Sequence, residues 1–309
     1  MSRLLNRQES KLCILIILFL IALQAIACSR EDVQFYQMEP NSIVIVPDIQ
    51  IYTMNSNSKE LSSIVDFINT NKSNISLCLQ TGDLTNNNTP EQWNNAFNEY
   101  VNKLHPDVTH FECLGNHDYG DNGSANERVS NISWDISANS LFSFGKYNEN
   151  YVKFVQIAGK EYGVLVLEFA VRDTTIEWAQ QVLNQYSDME FIVLTHAFLN
   201  SEGYPYGDST IMTDIDNPKF YGLSTNDRIC DSECIFDKIC NSHPNVKYMV
   251  CGHSLPKDGL LIRTKETVSG DIVKLIMVNF QHYANGGDGN FVILNTSSEQ
   301  DNIYIHTPK

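Results

Sequence analysis

Val108-Thr109-His110-Phe111-Glu112-Cys113-Leu114 runs directly into Gly115-Asn116-His117-Asp118. The first seven residues alternate apolar or β-branched side chains with polar ones, the period of a half-buried strand. The Gly-Asn pair ends the run and turns the chain. Asn116, His117 and Asp118 are thereby delivered to a strand's C-terminal edge, where α/β sheets bind their ligands. Amide, imidazole and carboxylate groups bind metals and move protons. Four residues are weak evidence alone, so the other strands must be read for partners.

Upstream, 42–46 reads as a buried strand, stopped by Pro47 and followed by Asp48-Ile49-Gln50. Leu61, Ile64, Val65 and Ile68 share one face at helical spacing. The next strand, 75–79, ends in Gln80-Thr81-Gly82-Asp83, and Pro90 opens a helix with Trp93, Phe97 and Val101 inward. With the strand before Gly115 this makes a β-α-β-α-β series, which implies parallel pairing and right-handed crossovers. Downstream, 120–140 is a polar loop long enough to cover a site. Short strands follow at 141–144, 151–156 and 164–169, then a helix over 174–186. A strand at 191–194 ends in Thr195-His196. After a second polar insert at 200–228 come a helix at 232–241 and a strand at 246–250 that ends in Gly252-His253. The tail, 273–279 and 291–295 across a Gly-rich turn, predicts an antiparallel hairpin.

Five strand ends thus carry candidate ligands: Asp48 with Gln50, Asp83, Asn116 with His117, His196, and His253. Taken singly, each is an ordinary turn residue or a hydrogen-bonded histidine. Five at successive strand ends point to one shared site. Carboxylate, imidazole and amide oxygen together suit divalent first-row metals.

Asp48-x-Gln50, Gly82-Asp83, Gly115-Asn116-His117-Asp118, His196 and Gly252-His253 resemble, in order and spacing, the calcineurin-like metallophosphoesterase superfamily. The nearest pattern is its subgroup with Asp-x-Gln in the first metal motif. The resemblance spans roughly residues 42 to 305. It implies an α/β (α+β) fold of two packed mixed β-sheets flanked by α-helices, a four-layer sandwich with the site at the sheets' C-terminal edge. It further implies one or two divalent metal ions (Mn, Fe, Zn or Mg). Asp83 matches the carboxylate that bridges the two, with Asn116, His196 and His253 as the other ligands of one and Asp48 and Gln50 of the other. His117 matches the catalytic histidine that meets the phosphate and helps the leaving oxygen depart. Asp118 is expected to orient it through a hydrogen bond. Two cations about 3.5–4 Å apart would acidify water and neutralise phosphoryl oxygens, so the implied reaction is attack of a metal-activated hydroxide on a phosphate mono- or diester.

Two departures fall on one metal. The superfamily usually has a second histidine where this chain has Leu255, and a histidine where it has Gln50. Gln50 can ligate only through a neutral amide oxygen. That set should hold metal more weakly and prefer harder ions such as Mn²⁺ or Mg²⁺. Alternatives therefore stand beside the hydrolase. One is a related enzyme acting on a pyrophosphate or phospholipid headgroup; another is a catalytically weakened member that binds a metal or a partner. A third is a surface adhesin built on the polar inserts. Those inserts are better explained as shaping a pocket, with Tyr204, Tyr206 and Tyr221 as candidate lining.

Residues 1–27 read as a signal peptide: Arg3, Arg7 and Lys11, an apolar run from Leu12 to Leu23, then Ala25-Ile26-Ala27. The run is short for a membrane span of about 20 residues, which leaves an uncleaved anchor as the lesser reading. Ala25-Ile26-Ala27-Cys28 resembles a bacterial lipoprotein cleavage box, so Cys28 offers membrane attachment. Plain secretion is the alternative. Residues 28–40 would be a tether and 41–309 the metallophosphoesterase domain, working outside the cytoplasm. Loss of Arg3, Arg7, Lys11 and Glu9 with the leader takes the formal charge from -16 to -18. Such a chain repels nucleic-acid backbones, so the expected partner is a small-molecule or headgroup phosphoester and not a nucleic acid. Cys230, Cys234 and Cys240 are spaced unlike zinc ribbons or fingers, which predicts a local disulfide.

Overall fold

The computed structural model describes residues 38–207, 216–223, 227–296 and 302–308. The leader and nearly all of the expected tether lie outside them. The compact unit described begins at Met38.

Strands β1 (Ser42–Val46), β2 (Ile75–Gln80) and β3 (His110–Glu112) pair in parallel, with Val44 opposite Cys78 and Leu79 opposite Phe111. Their crossovers are α1 (Lys59–Thr70) and α2 (Pro90–Glu99). Each helix starts where a hydroxyl takes an otherwise unpaired N–H: Ser58 from Leu61, and Thr89 from Gln92 with Pro90 in the first turn. Helix α2 ends at Glu99, so Val101 falls in a following 3₁₀ turn and not on its apolar face.

The second sheet is built from β4 (Phe142–Phe144), β5 (Asn150–Ile157), β6 (Lys160–Leu167), β7 (Glu190–Thr195), β8 (Val246–Cys251), β9 (Leu260–Glu266) and β10 (Ile272–Val278), in the order β4-β5-β6-β7-β8-β10-β9. Ala158 and Gly159, both at positive φ, make the tight turn between β5 and β6. Helix α3 (Asp173–Gln185) and a helical segment that changes from α at Ser232–Ile235 to π at Phe236–Asn241 cover its outer face. Alternation divides the strands cleanly. Val164, Val166, Ile192, Leu194, Val250 and Ile276 belong to the core shared with the first sheet. Their neighbours Leu165, Leu167, Phe191, Val193, Met249 and Leu275 pack against the helices. The result is the expected sandwich of two mixed sheets between helices.

Strands β11 (Phe291–Asn295) and β12 (Asn302–His306) complete the first sheet as β12-β11-β1-β2-β3. The hairpin expected between residues 273–279 and 291–295 is therefore corrected. Strand β10 lies between β8 and β9, whereas β11 pairs antiparallel with β1. Both strands are apolar on two faces and need neighbours on both sides, so each enters a sheet interior. The Gly-rich segment between them crosses from sheet to sheet, and Gly286 packs where a Cβ would meet Ile51 at 2.6 Å.

Polar ties cross the apolar layer. The Tyr151 hydroxyl on β5 accepts from Glu112 N (3.1 Å) and donates to Glu112 O (2.9 Å), with the Tyr151 and Phe111 rings stacked. Outside this tie, His110 Nδ1 lies 2.6 Å from the buried Glu112 Oε1. The Glu112 charge raises the His110 pKa against the opposing effect of burial. A raised imidazole pKa stabilises the fold fully below its unfolded value, near 6.5, and the contribution fades as pH rises through the folded value. His110→Gln should therefore lower stability by about 1 kcal/mol at acidic pH, and the gap to the parent chain should close under alkaline conditions. Urea melts at either end of that range would check the sign.

Candidate metal centre

All the predicted ligands lie just past the C-terminal ends of β1, β2, β3, β7 and β8, and the backbone there is shaped to receive them. After β2, Gly82 (φ +103) and Asp83 (φ +52) reverse the chain; after β8, Gly252 precedes His253 at φ +68. Non-glycine residues rarely adopt such angles, and they do so where surrounding contacts hold them. At Asp83 the holder is Asp118. Its carboxylate accepts from Gly115 N (2.9 Å), Leu84 N (3.1 Å), Thr85 N (2.8 Å) and Thr85 Oγ (2.9 Å).

Gly115 itself sits at an ordinary φ of −98, so its role is not to turn the chain. A Cβ there would stand 2.1 Å from Asp83 Oδ1. Gly252 likewise leaves room for Asp48 Oδ1, and Gly82 for the His196 ring. The glycines of these motifs are spaces that ligand side chains fill.

Within the cluster, Asp48, Asp83 and His196 offer atoms that all lie within 4.8 Å of one another. His196 Nδ1 meets Thr81 O at 2.7 Å. A carbonyl only accepts, so Nδ1 carries a proton, and in the neutral ring Nε2 is the nitrogen that can bind a metal. His253 is the mirror case: its Nε2 donates to the Asp216 carbonyl (2.9 Å), which bares Nδ1. His253 Nδ1 and His196 Nε2 lie 3.3 Å apart. His196 Nε2 is also 3.1 Å from Asn116 Oδ1 and 3.4 Å from Asp83 Oδ1. Two imidazole nitrogens, an amide oxygen and a carboxylate oxygen thus converge, a set that a cation would complete when both rings are neutral. Gln50 Oε1, two residues past Asp48, is buried without a donor.

The electrostatics follow from burial. Desolvation pushes the Asp48 and Asp118 carboxyls up, and the neighbouring Asp83 charge adds to it, although His196 pulls Asp48 the other way. Burial also pushes Asp83 up, but His196 outweighs it and holds that carboxyl low. For His196, burial is outweighed in turn by Asp83 and Asp48, so its pKa is raised; His253, buried beside it, is lowered. Positive charge is wanted at the point where the acceptors meet. The donor set of carboxylate, amide oxygen and imidazole is that of a divalent cation.

His117 stands at the part-exposed rim, its Nδ1 donating to Asn86 O (2.8 Å) and its backbone N–H to Asp83 Oδ1 (2.9 Å). The expected hydrogen bond from Asp118 to the His117 ring is corrected: all the Asp118 bonds go to the Gly115, Leu84 and Thr85 groups named above. Leu255 is half exposed and presents no donor atom to the cluster. Of the tyrosines considered, Tyr221 packs on the His253 ring (5.9 Å). Tyr206 is buried with its hydroxyl on Ser254, and Tyr204 is exposed.

Two residues had no chemical signal in the sequence. Phe169, at the end of β6, packs against both the His196 and His253 rings, at 5.7 and 5.4 Å. Asn279, at the end of β10, donates to Asp48 Oδ2 (2.7 Å) and to His253 O (3.0 Å). Its place at the edge of a strand was the only available hint. The cysteine group forms a Cys230–Cys234 disulfide, and Cys240 is a buried free thiol.

The family model for calcineurin-like phosphoesterases matches residues 42–257. The chain belongs to that family. Its members work with one or two divalent metal ions, and Asp48, Asp83 and His196 are placed to hold one. Among solved structures, the fold is similar to a purple acid phosphatase from yellow lupin (Lupinus luteus) seeds, with TM-score 0.50 and 13% identity over 87% of this chain. The match covers 52% of the lupin protein, so this chain spans about half its length. GAP50, the anchor in the inner membrane complex of Plasmodium, also matches, at TM-score 0.45 and 11% identity, over 87% of this chain and 84% of that one. No curated protein matches the chain.

Because Gly115 provides the space that Asp83 occupies, Gly115→Ala should displace that carboxylate without any conflict of backbone angle. Metal content of the purified variant, measured by mass spectrometry after equilibration with Mn²⁺, should fall well below that of the parent chain. Unchanged content would mean that Asp83 does not serve as a ligand.

Proposed function

We propose that this chain is a metal-dependent phosphoesterase working outside the cytoplasm on phosphate mono- or diesters. The observation that carries the reading is the meeting of His196 Nε2, His253 Nδ1, Asn116 Oδ1 and Asp83 Oδ1 at one point of the strand-end edge. Asp83, Asn116, His196 and His253 would hold one ion, and Asp48, Gln50 and Asp83 a second, which would also satisfy the orphaned Gln50 carbonyl. Divalent ions bound there lower the pKa of water toward neutrality and offset phosphoryl charge.

The chain's own groups do the rest. His117, with Nδ1–H committed to Asn86, has Nε2 available to hold a proton for the departing oxygen. Asp118 keeps Asp83 and the Gly115 turn in register, and Asn279 sets the orientation of Asp48. The Asp216 carbonyl selects the His253 tautomer that points Nδ1 inward. Leader, cleavage box and Cys28 support export, with lipid attachment at Cys28. A mature N-terminus beginning elsewhere, or a Cys28 of unmodified mass, would count against the lipoprotein form.

Leu255 favours a second reading. Without a histidine there, one metal set has only oxygen donors, and a chain that fills a single site would act as a metal- or partner-binding surface protein. One experiment separates the readings. Metal-stripped chain should be inactive on an aryl phosphate and its diester, and Mn²⁺, Mg²⁺, Zn²⁺ or Fe²⁺ should restore turnover. His117→Ala should keep its metal and lose about 10²–10⁴-fold in rate, whereas Asp83→Asn should lose both. Full metal content with no turnover under any cation would leave the binding protein.

A further inference from the structure

The edge that holds the candidate metal centre carries little free positive charge. The described residues that follow β1, β2, β3, β6, β7, β8 and β10 on this side are 47–58, 81–89, 113–131, 168–172, 196–207, 216–223, 227–231, 252–259 and 279–290. Together they hold twelve Asp or Glu and five Lys or Arg. That is a formal −7, and two divalent ions would reduce it only to −3.

Four of the five cations are already committed. Arg128 and Arg172 both pair with Glu168, at 2.9 and 2.8 Å, Arg228 pairs with Asp173 at 2.8 Å, and Lys219 pairs with Asp231. Lys257 is left. At physiological salt the screening length is about 8 Å, so a phosphate at the mouth feels this excess.

Beside the 86–88 turn the surface is rich in carboxamides. A cavity of about 620 Å³ is lined by Asn87, Asn122, Asn126 and Asn131 with Asp121 and Glu127. It shares the 86–88 turn with Asn86, whose carbonyl holds the His117 ring. Residues 121–123 close over that turn because Gly123 has no Cβ; one would stand 2.3 Å from Asn86 O and 3.0 Å from His117 O. Asp121 and Glu127 thus belong to the segment packed against the Asn86 and His117 backbone and add to the acidic edge.

We infer that the preferred substrate is a phosphodiester, singly charged at phosphorus and bearing no further anionic group. Phosphomonoesters, dianionic at neutral pH, and esters carrying further phosphates are repelled by the acidic edge, since the repulsion grows with substrate charge. This inference rests on the phosphoesterase reading. Bond cleavage itself is unchanged: water's oxygen joins phosphorus, and the alcohol departs with the proton that His117 holds.

The test uses the metal-loaded full chain near neutral pH with three chromogenic probes. These are p-nitrophenyl phosphate (a dianion), bis(p-nitrophenyl) phosphate (a monoanion) and p-nitrophenyl phosphorylcholine (net neutral). At about 20 mM salt, kcat/KM should rise in that order. Raising salt to about 300 mM should speed the dianion about tenfold and the other two much less. Asp121→Asn combined with Glu127→Gln should narrow the same gap at low salt. A dianion turned over as fast as the diester at low salt would overturn the inference, as would a gap that neither salt nor the double variant moves. Turnover of none of the three would instead remove the phosphoesterase reading, and the inference with it.

Discussion

Three carboxylates buried in one cleft are the constraint on which this structure depends. Asp48, Asp83 and Asp118 are all withdrawn from water, and like charges so placed cannot all stay ionised without compensation. The fold compensates each differently. Asp118 receives three backbone N–H groups and a hydroxyl, which makes it a fastener for the loop rather than a ligand. Asp83 has one backbone N–H and a histidine nitrogen at salt-bridge distance. Asp48 has the Thr81 hydroxyl and the Asn279 amide. Only Asp118 is saturated; the other two keep lone pairs directed toward the same space as the imidazoles. His196 offsets part of the conflict at Asp83, and a divalent cation would remove the rest.

The surrounding backbone is organised by the same demand. Left-handed conformations at Asp83 and His253 are costly, and each sits beside a glycine whose missing Cβ is replaced by a ligand atom. Strain of this kind persists only where neighbours over-determine it. Here the neighbours are the Asp118 fastener and the strand ends themselves.

How far the sequence was legible follows from what each residue signals. The parallel series and the strand-end ligands could be read because strand alternation and polar residues at turns leave local patterns. Strands β9 and β12 could not: β9 is a mostly exposed edge with no apolar face, and β12 is a partly exposed edge strand. The tail was misread as a hairpin because strand propensity does not say which sheet a strand joins. Gly115 was read as a turn residue, although its reason is a side chain thirty-two positions earlier. Asp118 was assigned to the ring beside it because adjacency in sequence was the only information. Phe169 was invisible for a related reason: an apolar residue beneath two imidazoles looks like any other core residue.

The donor types divide between the sheets. Asp48, Gln50 and Asp83 follow β1 and β2, and all three offer oxygen; the imidazole nitrogens of His196 and His253 follow β7 and β8 in the other sheet. Asn116, beyond β3, is the first sheet's contribution to the nitrogen side. The distance between the two proposed donor sets is therefore set by how the sheets pack. Cross-sheet contacts cluster where that distance is decided: His196 on Thr81 O, Asn279 on Asp48, and Tyr151 on Glu112. Loss of a histidine at position 255 sharpens the division, because it removes the one nitrogen that the second sheet would lend to the oxygen set. An oxygen-only set suits a harder, more weakly held ion. The asymmetry between the two proposed donor sets is thus a property of the sandwich as well as of the two residues that depart from the family pattern.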